Sequence, residues 1–218
     1  MRTMKDLIII GAGGLGREVA WLVERINEKS QTWSILGFLD GDAEKQEKII
    51  NGYPVLGDDS VLREYPHAYF VCAIGSARVR EKVVMNISRI LPDVKFATLI
   101  DPAVEMSRWT TVGEGTVICA HTIVSVNTKI GKHVIIDWDC TIGHDAVLSD
   151  FVTVYPGVNV SGNVIVGQQC ELGTGTQIIQ GKQIGEHTIV GAGTVVVKDL
   201  PSKCTAVGSP ARPIKFYT

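Results

Sequence analysis

Every sixth residue is aliphatic from Ile100 and Met106 through to Val190 and Val196, and the register holds for 17 hexads without an insertion. A period of six matches neither the 3.6 of a helix nor the simple alternation of a strand. It predicts a parallel β-helix in which each hexad supplies one short strand and one corner, and coils of about 18 residues stack through strand hydrogen bonds. Counting the aliphatic residue as the first slot, the fifth slot is mostly small, as at Thr110, Thr116, Thr122, Thr128, Cys140, Ala146, Cys170, Thr176, Thr188 and Thr194. Such a residue fits where the chain bends. Lys182 departs from this rule and marks an altered corner. A sandwich of short strands would space its turns irregularly and would not keep one register over such a length.

The first hundred residues follow a different pattern. Asp6 to Ile10 (DLIII) reads as a strand buried on both faces, and Gly11-Ala12-Gly13-Gly14-Leu15-Gly16 follows at once. Val19, Leu22, Val23 and Ile26 then recur at helical spacing. The glycines therefore sit at a strand-to-helix turn, where backbone N–H groups at a helix start can take a phosphate. A second strand, Ser34 to Leu39, ends at Asp40, the place of the ribose-binding acid in a dinucleotide fold.

Beyond a polar loop with Gly41 and Gly52, the pattern predicts a short helix near 59–65 and a strand Ala68 to Ile74 that ends in Gly75-Ser76. A helix with Val79, Val83, Ile87 and Ile90 on one face and a last strand Lys95 to Leu99 complete the unit. Alternating strands and helices give a small parallel sheet, so the fold class is an α/β Rossmann-like half domain (1–99) joined to an all-β parallel β-helix (100–218). A NAD site would match the fingerprint and the acid, but about 100 residues supply only one mononucleotide-binding half. A nucleotide or nucleotide sugar is the expected ligand; a purely structural glycine turn is the plainer alternative.

Composition narrows the partners. A net charge of −2 without charge runs gives no electrostatic reason to expect nucleic acid or an anionic membrane. Cys72, Cys119, Cys140, Cys170 and Cys204 are odd in number, contain no C-x-x-C pair, and fall mainly where a small side chain is wanted. Buried free thiols in a reducing cytoplasm are expected rather than disulfides. Near the start, Arg2 and Lys5 flank an apolar run, Leu7 to Ile10, too short for a signal peptide or a membrane span.

The β-helix carries His121, His133, His144 and His187. With coils of about 18 residues, His133 and His187 share a face but stand three coils apart, roughly 14 Å at strand spacing. No two histidines can share a metal within one chain, and no metal site is expected. His144 occupies a third slot in Ile142-Gly143-His144-Asp145-Ala146-Val147 and should project outward. Contact with Asp145 requires the corner to bend, because neighbouring strand residues point oppositely. Gly162 lies one coil on and offers an exposed amide. A histidine base and a backbone donor are the parts of an acyl-transfer site; a solvated surface histidine is the alternative.

The hexads, Gly191-Ala192-Gly193 and the closing Val207-Gly208-Ser209-Pro210-Ala211-Arg212 resemble the hexapeptide-repeat acyltransferases, whose fold is a left-handed β-helix. Joined to GAGGLGREVA, FLDGD, YPVLGDD and AIGSARVREKV, they resemble more narrowly the bacterial sugar O- and N-acetyltransferases of the sialic acid and PglD-like group. That resemblance implies a homotrimer using acetyl-CoA, with active sites between adjacent β-helices and a UDP- or GDP-linked amino sugar as acceptor. It implies His144 as base, Asp145 as its acidic partner, and the Gly162 N–H facing the thioester oxygen. By the same matching, Gly173, Gly191 and Ala192 lie near the coenzyme, and Gly11, Gly13, Gly14, Asp40, Gly75, Ser76 and Arg80 near the nucleotide. Thr153 stands where some members carry a second histidine and would give the acyl group a weaker hydrogen bond; Leu15 replaces a histidine of some members. O-acetylation of a sialic acid or another sugar, and a nonenzymatic β-helix scaffold, are the competing functions.

Overall fold

The computed structural model describes residues 4–217, so Arg2 lies outside the described residues. The chain divides into two compact units, residues 1–102 and 103–218. Among the described residues no helix is long and apolar enough to cross a membrane.

In the first unit, β1 (Lys5–Ile10), β2 (Trp33–Leu39), β4 (Tyr53–Gly57), β5 (Tyr69–Cys72) and β6 (Lys95–Phe96) form a parallel sheet, with β3 (Ile49–Ile50) antiparallel on its edge. The order is β3-β4-β2-β1-β5-β6. Leu7, Ile8 and Ile9 are wholly buried, as a continuous apolar run on a central strand requires. Helix α1 (Gly14–Lys29) buries Val19, Ala20, Leu22 and Val23. Because β1 pairs with β2 on one side and β5 on the other, the chain order reverses there. A crevice at the carboxyl ends of the strands is the geometric consequence.

Three expectations need correction. Helix α2 (Ala77–Ile90) buries Ala77, Arg80, Val84 and Ile87, while Val79 is exposed; the buried face is rotated because the Arg80 guanidinium is drawn inward by carbonyls. The segment near residue 60 is a 3₁₀-helix, Asp59–Glu64, started by the Asp58 carboxylate accepting from the Ser60 N–H. Lys95 to Leu99 is not one strand: β6 stops at Phe96, and Leu99–Ile100 is a separate short strand.

The second unit is a prism of two-residue strands, each paired in parallel with the strands 18 residues before and after it, as Thr141 is with Ile123 and Asn159. Three sheets result. The first holds Val117–Ile118, Ile135–Ile136, Thr153–Val154, Glu171–Leu172, Ile189–Val190 and Cys204–Val207, and Arg212–Phe216 closes its edge antiparallel. The second runs from Glu105–Met106 through Thr141–Ile142 to Val195–Val196, and the third from Thr111–Val112 to Gln183–Ile184. First-slot aliphatics are buried from Ile118 onward, whereas Met106 is 38 % exposed in the first coil.

Two regularities explain the repeat. The fourth slot is left-handed: His121, Asn127, His133, Asp139, Asp145, Phe151, Asn163, Gln169 and His187 all have φ between 53° and 61°. The fifth slot points inward, and until the last coils its hydroxyl or thiol donates to the carbonyl 15 residues on, as Thr116 does to Gly131, Thr122 to Asp137, Cys140 to Tyr155 and Cys170 to Gly185. A corner carbonyl that would otherwise be buried without a donor is thereby satisfied. All five cysteines are free and buried.

Candidate active site

The corner after strand Thr141–Ile142 carries His144 and Asp145. Its backbone is fixed from both sides: the Asp145 N–H donates to Val126 O at 3.0 Å, and the Asn163 N–H donates to His144 O at 2.8 Å. The left-handed φ of 58° at Asp145 turns its side chain beside that of its neighbour. Nδ1 of His144 and Oδ2 of Asp145 are 2.9 Å apart, with about half of each side chain exposed. The bend that the sequence made a condition of contact is therefore present. The Asp145 carboxyl is held below its ordinary value first by His144 and then by the Asn127 amide.

Gly162 is not the exposed amide expected from the repeat. It is buried, the His144 ring lies over its α-carbon, and Gly143 packs against its nitrogen. The glycine leaves room for the imidazole, whose space a side chain at this position would occupy.

The other β-helix residues singled out in the sequence lie elsewhere on the prism. Gly173 and Gly191 are half-buried and Ala192 exposed, at the corner following strands Glu171–Leu172 and Ile189–Val190 of the first sheet. Within one chain they occupy a different corner from His144. Both glycines pack tightly: a side chain on Gly173 would meet the Ala192 nitrogen at 2.7 Å, and one on Gly191 a methyl of Val207 at 2.8 Å. The column also holds Asp137, which sequence reasoning missed; burial pushes its carboxyl up against the opposing Trp138 N–H. A charged residue in a second slot that is mostly glycine, serine or cysteine was the available signal. Thr153 is a correction: it is 1 % exposed, so contact with an acyl group is closed to it in this chain.

In the first unit, a cavity of about 640 Å³ opens at the carboxyl ends of β1, β2 and β5. Its lining includes Gly11, Gly13, Gly14, Asp40, Gly75, Lys45, Asp58, Asp59, Lys82 and Asn86 among apolar walls such as Leu62 and Ile87. The glycines differ in purpose. Gly11 has φ +98° and faces Ala73 O, and a side chain on Gly16 would collide with Gly11 O, so both serve the turn itself. Gly13 and Gly14 have only open space beyond them, and no side chain caps α1 at Gly13. The open N–H groups of that helix start can meet an anion.

Three nucleotide-end expectations change. Asp40 already accepts from the Ala12 N–H at 2.8 Å, the Asp42 N–H at 3.0 Å and Lys45 Nζ at 3.0 Å. Burial alone would raise its carboxyl, but these donors bring it below the ordinary value. It clamps the glycine turn. Arg80 is fully buried and donates to Ile74 O at 2.6 Å and Gly75 O at 3.0 Å, shaping the cavity wall from behind. Ser76 caps α2 by position without a side-chain hydrogen bond and lies outside the lining. Lys45 and Lys82 were missed, since isolated lysines in polar segments carry no sequence signal. Among the described residues, no three His, Cys, Asp or Glu side chains group as metal ligands.

Residues 6–87 match the PglD N-terminal domain family. The GDP-perosamine N-acetyltransferase of Escherichia coli O157:H7 is 32% identical over 215 residues, 95% of each chain. The acetyltransferase domain of PglB from Neisseria gonorrhoeae, solved also with acetyl coenzyme A, aligns with a TM-score of 0.88 at 32% identity; the alignment covers 97% of this chain and 100% of that one. PerB from Caulobacter crescentus, solved with CoA and GDP-perosamine, aligns with a TM-score of 0.86 at 30% identity over 98% of this chain and 99% of that one. Variants of the Caulobacter enzyme with one histidine replaced by asparagine or alanine were solved with the same ligands. With a glycine-turn unit followed by a hexad prism and a likeness running nearly end to end, the chain belongs to the PglD-like family of left-handed β-helix sugar acetyltransferases.

Proposed function

We propose that the protein transfers the acetyl group of acetyl-CoA to the amine of a nucleotide-linked amino sugar, such as GDP-perosamine or a UDP-4-amino sugar, in cytoplasmic glycan biosynthesis. The observation that carries this is the His144–Asp145 pair at an open corner, backed by a glycine that leaves room for the ring. With a proton on Nδ1 held by Asp145 Oδ2, Nε2 has its lone pair available. It takes the proton as the neutral amine attacks the thioester carbon; the C–S bond then breaks, and the imidazolium returns that proton to the departing sulfur so that CoA leaves as the thiol. Asp145 stabilises the resulting imidazolium. The first-unit cavity would hold the nucleotide, its diphosphate at the open N–H groups near Gly13 and Gly14 with Lys45 and Lys82 for charge.

The coenzyme residues Gly173, Gly191 and Ala192 share no corner with His144 in one chain, which supports a homotrimer whose neighbouring subunits each supply one wall of the site. The relatives solved with CoA and GDP-perosamine support the same substrate pair for this chain. The test is thiol release from acetyl-CoA with a panel of GDP- and UDP-linked sugars, some carrying an amino group and some lacking one. His144→Ala should lower kcat by about 10²–10⁴-fold; transfer at the wild-type rate would refute His144 as the base. Acetylation only of sugars lacking an amine would establish O-acetylation instead.

A further inference from the structure

The fourth-slot column places Asn127 one coil before Asp145, and their side chains meet: Asn127 Nδ2 donates to Asp145 Oδ1 at 3.3 Å while Asp145 Oδ2 faces His144 Nδ1 at 2.9 Å. We propose that Asn127 is a positioning residue of the acetyl transfer, holding the Asp145 carboxylate in the orientation that serves His144. The proposal rests on the reading of His144 as base.

The backbone of the pair has no freedom to give, since both neighbouring coils bind it. The remaining freedom is in the side chains, and Asp145 is about half exposed. An exposed carboxylate with one partner exchanges that partner for water and samples several rotamers. A donor on the opposite oxygen restrains it, because Oδ2 can stay on the imidazole while Oδ1 stays on the amide. The two oxygens thus have separate tasks. An acid in place of Asn127 would put a second carboxylate against Oδ1, and a hydrophobe would leave Oδ1 to solvent. The amide supplies a donor without adding charge.

A purely architectural role is the competing account. Asparagine is among the residues that tolerate a left-handed φ, here 58°, and a fourth-slot ladder recurs where His187 Nδ1 meets Gln169 Oε1 at 3.0 Å. The substitutions must therefore keep that backbone relaxed. Asn127→Gly removes the amide without left-handed strain. Asn127→Asp keeps size and backbone preference but reverses the hydrogen-bonding role.

A double-mutant cycle with Asp145→Ala decides between the accounts. Asn127→Gly is expected to lower kcat by about 2- to 5-fold, the lower range for one hydrogen bond, as suits an exposed contact of 3.3 Å, with KM for both substrates unchanged. Asn127→Asp is expected to lower it further. In the Asp145→Ala background, Asn127→Gly should have no further effect. An undiminished kcat in Asn127→Gly, or a loss that adds fully to that of Asp145→Ala, would overturn the proposal. If the wild type transfers acetyl to none of the amino sugars, the proposed function fails instead. Positioning is then read without turnover, by a carbon-13 titration of the Asp145 carboxyl. Its pKa rising in Asn127→Gly supports the contact, and an unmoved titration overturns it.

Discussion

The imidazole of His144 covers the α-carbon of Gly162 so closely that a Cβ there would stand 2.5 Å from Cε1. Gly162 has an ordinary backbone conformation, so alanine brings no torsional strain; the conflict is with the ring alone. The exposed ring can swing away more cheaply than the stacked coils can part. Gly162→Ala is therefore expected to keep its melting temperature within a few degrees and to lose about 10-fold or more in kcat as the proposed base is displaced. Steady-state kinetics beside thermal denaturation checks this. Wild-type kcat in the folded variant would show that the ring position is immaterial.

Asp40 links the glycine turn to β2 and should make stability depend on acid. Its folded pKa lies below the ordinary 3.8, so the unfolded chain binds its proton first. The stabilisation is complete well above 3.8 and is lost as pH falls through the lower folded value. Asp40→Asn keeps the shape but cannot accept three hydrogen bonds, and is expected to cost about 1–3 kcal/mol at pH 7. The difference from wild type should shrink below pH 3.8. Urea denaturation at pH 7 and in strong acid measures both, and a pH-independent difference would refute the charge-based account.

Arg80 carries the same argument into the core. Its guanidinium is fully buried against the carbonyls of Ile74 and Gly75, at the edge of the cavity. Arg80→Met leaves those carbonyls without that donor, with an expected cost of about 2–4 kcal/mol and weaker GDP or UDP binding as the 74–75 loop relaxes. Calorimetric titration with each nucleotide tests the second part. Unchanged affinity would confine Arg80 to stability.

The buried thiols bear on any assay that follows CoA release. Burial pushes Cys72, Cys140 and Cys170 up to about 12, far from the thiolate form at neutral pH. The native protein should react with a disulfide reagent at well below one thiol per chain in minutes, and at all five after denaturation. Rapid native labelling would show that a coil opens.

The hexad spacing alone carried the solenoid, because a strict aliphatic period leaves stacking as the way to bury every first slot. The fourth slot was equally legible in principle: its Gly, Asn, Asp and His residues are those that accept a positive φ. Read so, His121, His133 and His187 are explained by the corner, and His144, in the third slot, is the histidine that the turn does not call for. What the sequence could not supply was tertiary orientation. Whether Arg80 points to a ligand or into the protein depends on which face of α2 is covered. Whether Gly162 offers an amide or a space depends on where the imidazole settles.

Lys182 tests the fifth-slot rule directly. Every other fifth-slot residue from Thr116 through Thr194 is buried, and the threonines and cysteines among them, Thr194 apart, reach carbonyls of the following turn, whereas Lys182 is half-buried. Long and charged, it cannot place a small hydroxyl inside the corner. Its backbone is ordinary for the repeat, with the Ile165 N–H donating to its carbonyl at 2.9 Å, so a threonine fits without rearrangement. By the 15-residue offset seen at Thr116 and Thr122, the new hydroxyl would donate to the Val197 carbonyl. Lys182→Thr is expected to add about 0.5–1.5 kcal/mol, the net worth of one internal hydrogen bond, and to raise the melting temperature by a few degrees. Denaturation midpoints for Lys182→Thr, Lys182→Val and Lys182→Ala separate the contributions. Threonine above valine assigns the gain to the hydroxyl, equal gains for both assign it to burial alone, and a loss in all three shows that the lysine itself supports this corner.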